Sequence, residues 1–172
     1  YMAVGPKGVV IAGRDERGLY YGVQTLRDMM SKGQLETCTI QDWPDVKFRG
    51  AIEGFYGRPW SHEHRLRQID FYGRNKMNVY IYGPKDDPYH RQHWREAYPE
   101  QEAKLLQELN VRAHQRGVNF YWAIHPGLDI KWTNEDRDNL VNKLEKMYGL
   151  GIRSFAVFFD DISGEGSRAE KQ

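Results

Sequence analysis

Residues 152–159 read Ile-Arg-Ser-Phe-Ala-Val-Phe-Phe, and two aspartates, Asp160 and Asp161, follow them directly. The run is rich in β-branched and aromatic residues, which is typical of a strand buried on both faces. A helix is predicted just before it, over residues 133–148, beginning after the capping residue Thr133. A strand that follows an amphipathic helix and ends in two carboxylates indicates an α/β fold with chemistry at the strand end.

The same alternation of strands and helices extends back to residue 48 and implies a parallel sheet covered by helices. A doubly wound sheet and a (β/α)8 barrel both fit, and the polar and glycine-rich motifs just after the strand ends favour the barrel. A whole barrel needs about 250 residues, so residues 45–172 are predicted to form its first half, strands 1–4. The other predicted strands are 48–54, 78–82 and 118–124, and the other predicted helices are 61–74 and 99–116.

Residues 1–44 show a different pattern of predicted strands and helices, and the predicted domain boundary is the turn-rich segment Asp42-Trp43-Pro44-Asp45. We expect these residues to be the C-terminal part of a small α/β domain, with strands at 8–12 and 35–40 and a helix at 15–30. Apolar residues recur at helical spacing in that helix and predict one buried face. They are Leu19, Val23, Leu26 and Met30.

Composition excludes several classes of partner and site. The 172 residues contain 25 Lys and Arg against 24 Asp and Glu, a net charge of +1, which argues against a nucleic acid as the main partner. The single cysteine, Cys38, allows neither an intramolecular disulfide nor a cysteine-based zinc site. No run approaches the ~18 apolar residues of a membrane span, and no signal peptide is visible. We expect no cofactor and no metal.

The Asp160-Asp161 pair is the sharpest candidate for catalysis. Two carboxylates held together at the mouth of a buried strand repel each other, so one tends to keep a proton while the other stays ionised. Glycoside cleavage needs such an acid and such a charged partner. A metal-binding pair, or a cap for the glycine-rich turn that follows, is the alternative interpretation.

Three further residues are candidates for binding substrate. Lys85 follows Gly83-Pro84 in a turn and could donate to hydroxyl groups, although a solvated loop lysine paired with a neighbouring aspartate, Asp86 or Asp87, is the simpler interpretation. Gly54 would let the backbone approach a ligand, or would simply permit a tight turn. Tyr56 offers a ring and a hydroxyl, or is structural.

The histidines lack the spacing of a metal site. His62 and His64 lie two apart at a helix start and do not share a face. They are predicted to be surface or capping residues, as are His90 and His93. His125 ends a predicted strand, where it could fix a loop, and no catalytic role is assigned to it.

Three motifs together resemble glycoside hydrolase family 84, the O-GlcNAcase family of β-N-acetylglucosaminidases, in its bacterial form. They are residues 52–57 (Ile-Glu-Gly-Phe-Tyr-Gly), 82–87 (Tyr-Gly-Pro-Lys-Asp-Asp) and 158–162 (Phe-Phe-Asp-Asp-Ile). The resemblance covers residues 46–166, and the preceding residues resemble the end of the small α/β domain found before the barrel in bacterial members.

The resemblance implies a retaining, substrate-assisted hydrolysis of terminal β-linked N-acetylglucosamine through an oxazoline intermediate. Asp160 would polarise the acetamido N–H, and Asp161 would act as general acid and then general base. The backbone carbonyl of Gly54 and the ammonium of Lys85 would hold sugar hydroxyls, and Tyr56 would line the pocket. The substrate would be a glycan or glycoprotein containing N-acetylglucosamine.

The resemblance also places further pocket residues on later strands, in a second half of the barrel that either another chain or a longer protein would supply, so we expect this segment alone to be inactive. It implies a periplasmic or secreted location. The alternatives are a non-catalytic carbohydrate-binding fragment, a hyaluronidase-like enzyme, and a family 20-type hexosaminidase, whose carboxylate pair resembles Asp-Glu rather than Asp-Asp.

Overall fold

The computed structural model describes residues 1–33 and 35–160 and contains two sheets. The first is antiparallel, with the strand order β2-β1-β3, and α1 lies between its second and third strands in the sequence. Its elements are β1 (Met2–Gly5), β2 (Gly8–Ile11), α1 (Glu16–Ser31) and β3 (Cys38–Ile40). Strand β1 was not predicted, and the strand expected at 35–40 is limited to its last three residues.

The second sheet has four parallel strands in the order β4-β5-β6-β7, so the predicted parallel sheet is confirmed. A helix connects each strand to the next, at about the predicted positions. The elements are β4 (Gly50–Glu53), α2 (His62–Arg74), β5 (Val79–Tyr82), α3 (Glu100–Gln115), β6 (Asn119–Ile124), α4 (Asn134–Gly149) and β7 (Ser154–Val157).

The starts of the helices follow from local chemistry. The Ser61 side chain accepts a hydrogen bond from the backbone N–H of His64 at 3.3 Å, and Thr133 accepts one from Asp136 at 3.2 Å, which confirms both predicted caps. Helix α3 follows Pro99, whose fixed φ suits a helix entry, and it has no side-chain cap.

The core lies on one side of the parallel sheet, between the strands and the helices. Tyr80, Trp122 and Ile124 are fully buried there and pack with Leu109 of α3 and other helix residues. Strands that neighbour each other in sequence order, with all helices on one side, are expected of a barrel wall, whereas a doubly wound sheet reverses its strand order.

The predicted buried face of α1 is wrong. Leu19, Val23 and Met30 are 43%, 49% and 59% exposed. The helix packs instead through the side that carries Gly22, where an added Cβ would lie 2.4 Å from a methyl carbon of Ile11 in β2. The helix is therefore packed on its glycine-bearing side rather than on its more apolar side.

Within the described residues, none of the helices combines the length and apolar character required to cross a bilayer.

Candidate active site

The carboxyl ends of β4 and β5 are level with each other, and those of β6 and β7 extend two residues further. Glu53 is paired with Tyr82, Tyr82 with Trp122, and Ile124 with Val157. Because the strands are parallel, the segments that follow them leave the sheet at the same edge. The three motifs that carry the candidate residues are therefore neighbours in space, as the sequence predicted.

Because successive side chains of a strand point to opposite faces of the sheet, the residues at these strand ends face two different sides. Tyr82, Trp122 and Ile124 face the helices. The residues next to them face the other way: an added Cβ on Gly83 would lie 2.7 Å from the Phe158 ring and 3.1 Å from the Ala123 side chain. Gly83 thus leaves room for Phe158 on the side away from the helices, which we call the inward side.

Lys85 and Asp160 form an ion pair on the inward side. The Lys85 side chain is only 3% exposed, whereas that of Asp160 is 53% exposed. The alternative interpretation of Lys85, a solvated lysine paired with Asp86 or Asp87, is wrong, because the side chain is buried and pairs with Asp160, which follows β7.

Asp160 carries a negative charge at neutral pH. Partial burial would raise the pKa of its carboxyl group, but the hydrogen bond and the charge of Lys85 outweigh burial and hold the pKa below its usual value. His125 adds to this effect. Asp161 lies outside the described residues.

His125 is fully buried and connects the ends of β6 and β7. Its Nε2 lies 2.6 Å from the backbone oxygen of Asp160 and 3.2 Å from the Asp160 Oδ1. A carbonyl oxygen can only accept, so Nε2 carries the proton and donates. The backbone N–H of His125 donates in turn to the carbonyl oxygen of His90 at 2.7 Å.

Gly54 and Tyr56 lie at the end of β4, beside the Lys85 segment. A Cβ on Gly54 would be 4.0 Å from the carbonyl oxygen of Gly83. The Tyr56 ring centroid is 5.5 Å from the Lys85 ammonium, and the Tyr56 side chain is largely exposed. The structure therefore brings Gly54, Tyr56, Lys85 and Asp160 to one place.

Two neighbours, His90 and Arg91, were missed as parts of this region. The prediction that His90 is a surface or capping residue is wrong: it is fully buried, and its Nε2 lies 2.9 Å from the carbonyl oxygen of Pro84. Burial lowers the pKa of His90 to about 4. Arg91 is 7% exposed and donates to the Tyr56 hydroxyl at 3.0 Å. His90 ends a three-residue 3-10 helix, Pro88–His90, and Arg91 follows it, so the stretch is too short for a periodic pattern to mark a buried residue.

A buried network of hydrogen bonds holds the segment that carries Lys85 in place. Asp87 accepts hydrogen bonds from the hydroxyl groups of Tyr82 and Tyr98 at 2.7 and 2.8 Å. Lys143 of α4 is 2% exposed and donates to the backbone oxygen of Tyr89 at 2.8 Å and to that of Glu96. Burial lowers the pKa of Lys143 to about 8. Segment 83–98 is thus fixed to both β5 and α4.

Two cavities among the described residues lie away from the Lys85–Asp160 pair. One of about 960 Å³ lies beside α1 at the amino ends of the parallel strands, with Tyr21, Arg49 and Asn78 in its wall. Another of about 230 Å³ lies between α2 and α3 and touches Tyr82 and Asp87 from the helix side. Neither includes Lys85 or Asp160. In the described part of the chain, no three His, Cys, Asp or Glu side chains are grouped to hold a metal ion.

Comparison with known families matches nearly the whole chain. The beta-N-acetylglucosaminidase family model matches residues 49–172, and the model of domain 2 of glycosyl hydrolase family 20 matches residues 1–43. The proteins named Protein O-GlcNAcase from Rattus norvegicus and Mus musculus are each 42% identical over 124 residues. That alignment covers 72% of this chain and 14% of each relative.

Solved structures agree with this match. A structure described as that of CpGH84B has a TM-score of 0.90 and 47% identity, and the similarity covers 95% of this chain and 30% of that one. A mutant of the Thermobaculum terrenum O-GlcNAc hydrolase has a TM-score of 0.68 and 40% identity over 73% of this chain and 27% of that one. The predicted fold class, part of a TIM-type barrel, is confirmed. The chain belongs to the beta-N-acetylglucosaminidase family, glycoside hydrolase family 84.

Proposed function

We propose that the protein hydrolyses terminal β-linked N-acetylglucosamine from glycans or glycoproteins. Membership of the family supports this substrate class. The observation that carries the proposal is the Lys85–Asp160 ion pair on the inward side of the strand ends, at the barrel face where active sites are found. The chain spans 14% of its curated relatives, so the activity is proposed for the full-length protein.

We assign to Asp160 the part of the charged carboxylate. Its lowered pKa keeps it ionised at neutral pH, and an ionised carboxylate can accept a hydrogen bond from the acetamido N–H of the substrate. That bond orients the acetamido oxygen toward the anomeric carbon. It also stabilises the positive charge that develops as the oxazoline ring closes. Such a reaction retains configuration without a nucleophile from the protein.

Asp161 has the complementary part. It would protonate the departing glycosidic oxygen and then take a proton from the water that opens the oxazoline. This assignment rests on the family motif, in which Asp161 follows Asp160 directly, because Asp161 lies outside the described residues.

The sugar would be held by the residues around the ion pair. The Lys85 ammonium has three N–H donors and lies beside the half-exposed Asp160 carboxylate, and we assign it to a sugar hydroxyl by the family motif. The backbone carbonyl of Gly54 can accept from a hydroxyl group. Tyr56 presents an exposed ring, which suits the C–H face of a pyranose.

A leaving-group series in the full-length protein tests the two assignments. In Asp161→Asn, aryl glycosides with poor leaving groups should lose ~10²–10⁴-fold in turnover and activated ones much less, because only a basic oxygen needs the proton. Azide should restore turnover of activated substrates. Asp160→Asn should lose ~10²–10³-fold with every leaving group, because charge stabilisation is removed.

The results separate the alternatives. Equal dependence on the leaving group in both variants would contradict separate roles, and the reverse pattern would exchange them. A wild-type protein that binds N-acetylglucosamine but hydrolyses no β-N-acetylglucosaminide would instead be a non-catalytic carbohydrate-binding module.

A further inference from the structure

The side chain of His125 continues the hydrogen bonding between β6 and β7 as far as Asp160. One residue beyond β7, the backbone N–H of Phe158 still donates to the carbonyl oxygen of Ile124 at 2.8 Å. Two residues further on, the carbonyl oxygen of Asp160 accepts from a side chain instead, the Nε2 of His125 at 2.6 Å. His125 thereby connects the end of β6 to the residue that carries the charged carboxylate.

His125 is a donor with little freedom to move. Its side chain is fully buried. Its backbone N–H donates to the carbonyl oxygen of His90 at 2.7 Å, and Pro126, the next residue, restricts the backbone conformation of the residue before it. A donor fixed in this way also fixes the position of the group that accepts from it.

The two buried histidines give Lys85 and Asp160 a second connection besides their ion pair. His90 places its Nε2 2.9 Å from the carbonyl oxygen of Pro84, the residue before Lys85. A carbonyl oxygen can only accept, so this nitrogen donates, as the Nε2 of His125 does. The connection therefore runs from the Lys85 segment through His90 and His125 to Asp160.

The two oxygens of the Asp160 carboxylate have different neighbours. Oδ2 accepts from the Lys85 ammonium, and Oδ1 lies 3.2 Å from the Nε2 of His125. The same histidine nitrogen thus faces both the backbone oxygen and a side-chain oxygen of Asp160, which limits rotation about the side-chain bonds. The carboxylate is 53% exposed, so it can accept from a ligand in a defined direction.

We propose that His125 is a positioning residue that holds the Asp160 carboxylate in the orientation that receives the acetamido N–H of the substrate. The inference rests on the proposed function and deepens it. A charged group stabilises a transition state only when it lies where the charge develops, and a displacement of about 1 Å can lower the rate ~10²-fold. His125 contacts Asp160, so its loss slows the closure of the oxazoline ring.

Two amide variants of the full-length protein test this role. The side-chain N–H of glutamine can reach the position of the histidine Nε2, whereas asparagine is one methylene shorter and reaches only the position of Nδ1. His125→Gln therefore keeps a donor to Asp160, and His125→Asn does not. The matched control is His64→Asn on the exposed surface of α2. Values of kcat and KM are measured with 4-nitrophenyl β-N-acetylglucosaminide, and thermal unfolding establishes that each variant is folded.

His125→Asn should lower kcat ~10²-fold and change KM less than about threefold, because the orientation of the carboxylate matters most in the transition state. His125→Gln should keep more than about a tenth of the wild-type kcat, because its donor still reaches Asp160. His64→Asn should match the wild type.

A double variant distinguishes positioning from a general loss of structure. His125→Asn combined with Asp160→Asn should be no slower than Asp160→Asn alone, because no charge is then left to position. A loss that came only from a weakened fold would persist in full in the Asp160→Asn background.

Equal kcat values in His125→Asn and His125→Gln would overturn the proposal, as would a full additional loss in the double variant. If His125→Asn does not fold, His125→Gln decides alone: a kcat below about a tenth of the wild-type value overturns the proposal, and a higher one supports it. Either contrary result with an active wild type defeats this inference only. A wild type that neither binds N-acetylglucosamine nor hydrolyses the substrate defeats the proposed function as well.

Discussion

The two sides of the strand ends each hold an ion pair, and the two pairs differ in how completely they are enclosed. On the helix side, Glu53 is fully buried and accepts from the Trp60 backbone N–H at 3.0 Å, from Arg65 through two nitrogens, and from the Tyr80 hydroxyl. On the inward side, the carboxylate of Asp160 is 53% exposed beside a buried Lys85.

The difference indicates which pair holds the fold and which one can act. Every acceptor position of Glu53 is occupied by the protein, and its neighbours depend on it: burial and then the charge of Glu53 raise the pKa of the Tyr80 phenol. Burial would lower the pKa of Arg65, but the Glu53 contacts hold it above its usual value. Asp160 keeps one side open to a ligand. The two sides of one sheet edge can therefore serve different purposes: one stabilises the fold and the other stays open to a ligand.

The largest effect on stability should come from Glu53→Gln. It leaves the Arg65 guanidinium buried without its counter-ion, which costs about 3–5 kcal/mol. Asp160→Asn should cost less, because its carboxylate is half-exposed to water and the amide oxygen can still accept from Lys85. Urea unfolding measures both, with the exposed Glu63→Gln as control. Equal losses for Glu53 and Asp160 would make the inward pair structural as well.

A smaller effect on the free energy of unfolding is expected when the pH is lowered. His90 behind the inward pair has a pKa of about 4 in the folded protein and 6.5 when unfolded. Between these pH values His90 binds a proton in the unfolded state but not in the folded state, so the free energy of unfolding falls as the pH drops from 6.5 to 4. The shift is worth roughly 3 kcal/mol in total. In His90→Asn this part of the pH dependence should disappear.

Unfolding free energies at several pH values check the role of His90. The matched control is His64→Asn on the exposed surface of α2, which should keep the slope of the wild type. Carboxylates with lowered pKa values, such as Asp70, also lose stabilisation in acid, but below their usual value of 3.8. A slope between pH 6.5 and 4 that survives in His90→Asn would contradict the assignment.

The smallest effect should come from a pair on neither side of the strand ends. Lys104 and Glu100 face solvent on α3, 69% and 83% exposed, with 2.6 Å between the ammonium and the carboxylate. Lys104→Gln should change the unfolding free energy by less than about 0.5 kcal/mol, and by less still in high salt. A loss of unfolding free energy comparable to that of Glu53→Gln would mean that the burial of an ion pair does not determine its contribution to stability.

The sequence by itself determined the alternation of strands and helices from residue 48 onward, the caps at Ser61 and Thr133, and the order of the three motifs. These features depend on local chemistry: apolar periodicity, side-chain caps, and glycine where the backbone must turn. Because the carboxyl ends of parallel strands meet at one edge of the sheet, it was predictable that the segments carrying Lys85 and Asp160 would be neighbours.

Only the tertiary structure decided the partner of each polar side chain. Lys85 reaches Asp160 across 75 positions of sequence, rather than the adjacent aspartates, because the ends of β5 and β7 are brought together by packing. His90 and Arg91 are buried by contacts with Pro84, His125 and Tyr56, and the short 3-10 helix that they end offers no periodic pattern that would reveal this. The exposed apolar face of α1 shows the same limit, since a hydrophobic stripe is buried only where the fold supplies a surface against it.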